Sequence, residues 1–100
     1  MSGADGSIVV LKLYVCGETP HSQRAVHRLR EMLAGRDDCQ VEIIDVIQRP
    51  EEAESARILA TPALVKESPA PPRRIVGDLT KIAEVLELLE LPRLPGQVPA

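Results

Sequence analysis

The side chains of this chain best suited to chemistry are its thiols and imidazoles. Cys16 sits in the segment Tyr14-Val15-Cys16-Gly17-Glu18-Thr19-Pro20-His21-Ser22-Gln23-Arg24-Ala25, where an apolar run ends and crosses a glycine into a helix start. Redox proteins place a Cys-x-x-Cys dithiol at such a corner, because a helix N-terminus stabilises a thiolate. In that register the two reactive positions fall on Thr19 and Ser22. Cys16 lies before the corner, where a small buried thiol is the ordinary state of a free cysteine. Cys39 has no spacing relation to it. A thiol redox protein working through Cys16 is therefore the alternative reading. His21 and His27 are six apart, not the i, i+4 spacing of a helical metal pair. Ala60-Thr61-Pro62 is no nucleotide signature, and no glycine-rich phosphate loop occurs. The chain is expected to use neither a metal nor a cofactor, and no catalytic residue is assigned.

Composition narrows the classes further. One hundred residues make one domain, large enough for a modest core. Hydrophobic residues make up 44% and aromatics 1%, so the core must be aliphatic, with Tyr14 the sole aromatic. A binder of single-stranded nucleic acid needs aromatic platforms. A net charge of -3 also disfavours phosphate-backbone binding. Two distant cysteines make no disulfide framework. The polar start, Met1-Ser2-Gly3-Ala4-Asp5-Gly6-Ser7, does not read as a signal peptide, and no apolar run approaches the ~18 residues of a membrane span. The expectation is a reduced, cytoplasmic protein with no nucleic-acid or membrane partner.

The elements that must position these residues follow from patterning. Ile8 to Val15 is a nearly continuous apolar, β-branched run, as in a strand covered on both faces. Gly17 breaks it, Thr19 is a good N-cap, and Pro20 suits the first helical position. The helix stripe is Ala25, Val26, Leu29, Met32 and Leu33, and Gly35 closes it. Val41 to Ile47 is a second strand, and a crossover of this length makes the pair parallel. Pro50 to about Arg57 is a short helix with acids in its first turn. Ala60 to Glu67 is predicted as a strand, Ser68 to Arg74 as a turn or short extended stretch, and Arg74-Ile75-Val76 as a brief edge strand, with a turn at Gly77-Asp78. Thr80 caps a last helix carrying Ile82, Val85, Leu86 and Leu89 on one stripe. Residues 1–7 and the Pro-rich 92–100 are tails around one domain of residues 8–91.

The resulting order, βαβαββα with a mixed four-stranded sheet, is that of an α/β, thioredoxin-like fold. Within it, Ile58-Leu59-Ala60-Thr61-Pro62-Ala63-Leu64-Val65-Lys66 followed by Pro71-Pro72-Arg73-Arg74-Ile75-Val76-Gly77-Asp78-Leu79 is a specific signature, and Leu11 to Ala25 and the final Leu-rich helix go with it. By these stretches the chain resembles the KaiB family of circadian clock proteins over roughly residues 8 to 90. The resemblance implies a non-enzymatic protein that docks on a KaiC-type ring ATPase and modulates its phosphorylation and timing, or stress signalling. It implies further partners, KaiA or a histidine kinase, and a third reading as a sensor-type interaction domain like that of the clock kinase. It also implies an alternative fold, a ground state, usually tetrameric, with a rearranged C-terminal half. The short Pro-rich tail replaces the family's long acidic one, and the region before Cys39 is a little shorter.

Arg24, Lys66, Arg73 and Arg74 match basic positions of the family, and the resemblance implies contact with an acidic partner through them. The prolines Pro71 and Pro72 restrict the loop before Arg73-Arg74, which lowers the entropy lost on docking. Pro62 falls where thioredoxin-like folds carry a cis-proline facing the corner. Gly77 and Asp78 match the family's fold-switch turn. The helical stripe at 82–89 favours the thioredoxin-like arrangement over the ground state.

Overall fold

The computed structural model of the chain describes residues 8–77. The apolar run forms β1 (Val9–Val15), and α1 (Pro20–Leu33) follows. β2 (Cys39–Asp45), α2 (Pro50–Ser55), β3 (Ala63–Ser68) and β4 (Arg73–Val76) complete the described part. The sheet order is β2-β1-β3-β4. β1 and β2 run parallel, and the β1–β3 and β3–β4 pairs are antiparallel. The mixed four-stranded sheet with its helices is the expected α/β, thioredoxin-like architecture. The predicted last helix, including residues 82–89, lies outside the described residues.

β1 is central and is covered on both faces, which is why it reads as a continuous apolar run. Leu11, Leu13 and Val15 pack with Ala25, Leu29 and Met32 of α1 and with Leu64 of β3. Tyr14 points the other way, with Ile44, Ala53, Ala63 and Val65. Burial pushes the Tyr14 phenol above its ordinary pKa. The α1 stripe turns slightly from its expected setting. Ser22, Ala25, Leu29 and Met32 are its buried residues, while Val26 and Leu33 are only partly covered.

Two boundaries move. β2 begins at Cys39 and ends at Asp45, two residues earlier at each end than the apolar pattern indicates. Asp45 stops it: its Oδ1 accepts the Ile47 N–H at 2.9 Å and turns the chain, as Asp side chains do at loop starts. Ile47 is left 66% exposed. The second difference is in β3. Val10 pairs with Ser68 but Leu11 pairs with Lys66, so the register shifts by one and Glu67 is the extra residue.

α2 ends in a Schellman motif. The Ile58 N–H donates to the Ala53 carbonyl at 2.9 Å, and the Arg57 N–H donates to the Glu54 carbonyl at 3.0 Å. Ile58 packs in the same cluster as Ala53, the apolar contact that accompanies this cap. The left-handed residue is Arg57, with φ 57°. Glycine adopts that conformation without the Cβ penalty. Arg57→Gly is expected to raise stability by about 0.5–1 kcal/mol, read as a higher midpoint of urea unfolding at unchanged slope. A lower midpoint would show that the arginine side chain offsets its backbone cost.

Candidate functional site

The corner between β1 and α1 is built from short polar contacts. Gly17 takes φ 57°, the left-handed region, and an added Cβ there would meet Ile47 Cδ1 at 3.5 Å. Its N–H donates to Asp45 Oδ1 at 3.2 Å, so one carboxylate holds both this corner and the turn after β2. Thr19 is the N-cap of α1, and its Oγ1 accepts the Ser22 N–H at 3.3 Å. Ser22 is 1% exposed, and its Oγ accepts the Cys16 N–H at 3.0 Å. The position that would hold the second sulfur of a dithiol therefore holds a buried hydroxyl that joins helix to strand. Neither Asp45 nor Ser22 stands out in the sequence as a structural anchor. An aspartate at a strand's end before a turn is a signal that could have found the first. The second depends on a contact six residues back along the chain.

Pro62 and Gly77 come together. The Thr61–Pro62 peptide is cis, as are Ser68–Pro69 and Ala70–Pro71. The Gly77 N–H donates to the Pro62 carbonyl at 2.9 Å, and Gly77 has φ 125°. Asp78 lies outside the described residues.

The four basic residues do not form one surface. Arg24 lies exposed on α1, with Nη2 2.9 Å from His21 Nδ1. Lys66 is 1% exposed, on the α1 side of the sheet opposite Leu11 and beside Arg73 in register. The expectation that Lys66 presents charge to a partner is corrected by this burial. Alternation along β3 puts Lys66 on the same covered face as Leu64, and Glu67, the next residue, is exposed. Arg73 and Arg74 are both exposed on edge strand β4. Successive residues of a strand point to opposite faces. Arg73 therefore shares the α1 side with Ile75, and Arg74 points to the α2 side, where its guanidinium reaches the end of that helix.

α1 is rich in basic residues. Between Pro20 and Leu33 the chain carries Arg24, Arg28 and Arg30 against the single acid Glu31. His27 Nε2 lies 3.3 Å from Glu31 Oε2. Between α1 and β2 lies an open hollow of about 570 Å³, lined by Val15, Val26 and Ile43 and rimmed by His27, Arg30 and Arg49. Arg49 is itself engaged by Glu42, at 2.9 Å, and by Glu52. α2 on the opposite side is acidic, with Glu51, Glu52 and Glu54.

The thiols are separate. Cys39 opens β2, and burial, followed by the Asp38 carboxylate beside it, pushes its pKa up to about 11. Asp38 is held below the usual carboxylate range chiefly by the hydrogen bond from Arg36 Nε at 3.0 Å. At pH 8 the Cys39 thiolate fraction is then ~0.1%, against ~10% for a thiol at an ordinary value of 9.0. In a Cys16→Ser chain, iodoacetamide should label Cys39 about 100-fold more slowly than a free thiol at pH 8, with the rate rising tenfold per pH unit towards pH 10. Labelling at the free-thiol rate would place Cys39 in solvent. Among the described residues no cluster of three His, Cys, Asp or Glu side chains could hold a metal, and no helix is long and apolar enough to cross a membrane.

Comparison with known proteins adds to this geometry. The sequence model of a family described as "KaiB domain" matches residues 12–91. A protein named circadian clock oscillator protein KaiB from Prochlorococcus marinus (strain MIT 9312) is 48% identical over 84 residues, covering 82% of this chain and 80% of that protein. Its counterpart of the same name from Parasynechococcus marenigrum (strain WH8102) is 48% identical, with coverage of 82% and 81%. Among solved structures, the N-terminal domain of Synechococcus elongatus SasA superposes with TM-score 0.68 at 30% identity, covering 84% of this chain and 85% of that one. Mitochondrial thioredoxin 3 from Saccharomyces cerevisiae superposes with TM-score 0.70 at 13% identity, with coverage of 84% and 78%, a likeness of fold alone.

Proposed function

From the premise that this chain belongs to the KaiB family, we propose that it is a non-enzymatic binding module that docks on a KaiC-type ring ATPase and modulates its phosphorylation and timing. The observation that carries the reading is the basic outer face of α1, three arginines against one glutamate on a chain of net charge -3. An acidic surface on the ring is its complement. Arg24 and Arg30 are the exposed arginines of that face, and Arg73 lies at the edge of the same side of the sheet. Complementary charge of this kind speeds encounter and fixes register more than it adds raw affinity. The module works in the cytoplasm, where ring and nucleotide are found.

The experiment is titration of a cognate KaiC-type ATPase with the chain, followed by light scattering or interferometry. The double variant Arg24→Glu and Arg30→Glu should weaken binding at least about tenfold, mostly through slower association, and salt should weaken the parent chain in the same direction. Unchanged association of the doubly reversed chain would sink the reading. The second reading, a sensor-type interaction domain related to that of a clock histidine kinase, is supported by the likeness to the SasA domain. It predicts competition with such a domain for the same ring. A KaiA-type protein is a further partner for the ring-bound state.

A further inference from the structure

The Schellman motif at the end of α2 leaves two carbonyls pointing outward, those of Ala56 and Arg57. Each is met by the same side chain. Arg74 Nη2 donates to the Ala56 carbonyl at 2.7 Å, and Nη1 donates to the Arg57 carbonyl at 2.9 Å. The two nitrogens of one planar guanidinium thus hold consecutive carbonyls, a fork that only arginine provides. The cation also sits at the negative end of the helix, where positive charge is favoured. Its partners lie 17 and 18 residues back in sequence, across two strands.

What Arg74 grips is the conformationally costly point of the described chain. Arg57 is the one described non-glycine residue with positive φ. Immediately beyond it Ile58 turns inward, while Leu59 projects outward, 96% exposed. Arg57, Ile58 and Leu59 also edge an apolar hollow of about 630 Å³ with Val46, Pro50 and Ala53. The conformation of this short segment is set by the left-handed residue and by whatever holds it there.

We propose that Arg74 is a positioning residue, a latch that ties edge strand β4 to the end of α2 and holds residues 56–58 in the left-handed turn that projects Leu59. Arg74 is oriented for this by its register opposite Val65, which turns it to the α2 face. Arg73, one residue away on the other face, has no part in it. A substitution at Arg74 therefore changes a partner's affinity through the Arg57–Leu59 segment, whereas one at Arg73 leaves that segment alone. The proposal does not depend on which partner the protein binds.

Amide hydrogen exchange of the isolated chain tests it. In Arg74→Ala the amides of Arg57 and Ile58 should exchange about tenfold faster, while those of Leu11 and Leu13 in β1 keep their protection. Arg73→Ala should leave both sets unchanged. Arg74→Lys, which keeps the charge but not the fork, should fall between parent and alanine variant. Adding Arg57→Gly to Arg74→Ala should restore slow exchange at Ile58, since glycine holds the left-handed turn unaided. Equal acceleration by Arg73→Ala, no acceleration by Arg74→Ala, or a uniform rise that includes Leu11 and Leu13 would each overturn the latch. If Arg74→Ala does not fold, the lysine variant with and without Arg57→Gly carries the same comparison, and failure of glycine to restore protection there overturns it.

Discussion

Leu13→Ala is expected to cost about 3 kcal/mol of stability, within the 2–5 kcal/mol range of buried leucine truncations. In a domain of this size that lowers the thermal midpoint by roughly 12–24 °C. Leu13 is fully buried at the middle of β1. It lies opposite Ile43 on one side and Leu64 on the other, under the apolar face of α1. With so few aromatics, no large ring is available to slide into the space left behind. The loss therefore combines the transfer term with a cavity that cannot collapse. Val76→Ala, at a residue 59% exposed, should stay within about ±0.5 kcal/mol. Calorimetry on the two variants checks the pair. A loss below about 1 kcal/mol at Leu13 would mean that β1 is not the centre of the core.

Ser22→Ala is the second large expectation, at about 1–3 kcal/mol. The Ser22 hydroxyl is buried and accepts the Cys16 N–H. Removing it leaves a backbone donor without its acceptor, and the cost is the desolvation of that group rather than the modest net worth of one hydrogen bond. Thr19→Ser, which keeps a capping oxygen, should cost only a few tenths of a kcal/mol. Denaturant unfolding of both variants, with amide exchange at Cys16, gives the comparison. A neutral Ser22→Ala with slow Cys16 exchange would show that the corner is held by other contacts. The same geometry bears on redox chemistry. Thr19 and Ser22 occupy the two dithiol positions, and Ser22 has a structural task there.

The sequence discloses β1 and α1 well because independent signals coincide. A two-sided apolar run, Gly17, the Thr19 cap and Pro20 all mark one corner, and the structure has each in that place. β2 was displaced by two residues because Val46 and Ile47 are as apolar as a strand. The strand ends where the Asp45 carboxylate accepts the Gly17 and Ile47 N–H groups and its carbonyl accepts those of Gln48 and Arg49. Lys66 is the clearest difference. A lysine in Leu64-Val65-Lys66-Glu67 reads as a surface charge, since lysines are seldom buried. Strand alternation puts Lys66 on the same covered face as Leu64, and only the position of β3 between β1 and β4, under α1, closes that face. Arg73 and Arg74 read as a matched pair because they are adjacent. Strand alternation separates them, and the carbonyls that Arg74 meets lie too far back in the chain for spacing to reveal. Pro62 and Gly77 were recognisable as special positions, but their mutual hydrogen bond follows only from the β3–β4 pairing.

The reading of this protein as a ring-docking module is tested most directly by size-exclusion chromatography of the chain with the KaiC-type ATPase of its own host, in ATP and in ADP. The chain should move into the ring's elution volume in at least one nucleotide state. The Arg24→Glu, Arg30→Glu chain, shown to be folded by circular dichroism, should stay at its own volume. Elution of the folded parent chain apart from the ring in both nucleotides would contradict the proposal, as would co-elution of the charge-reversed chain to the same extent.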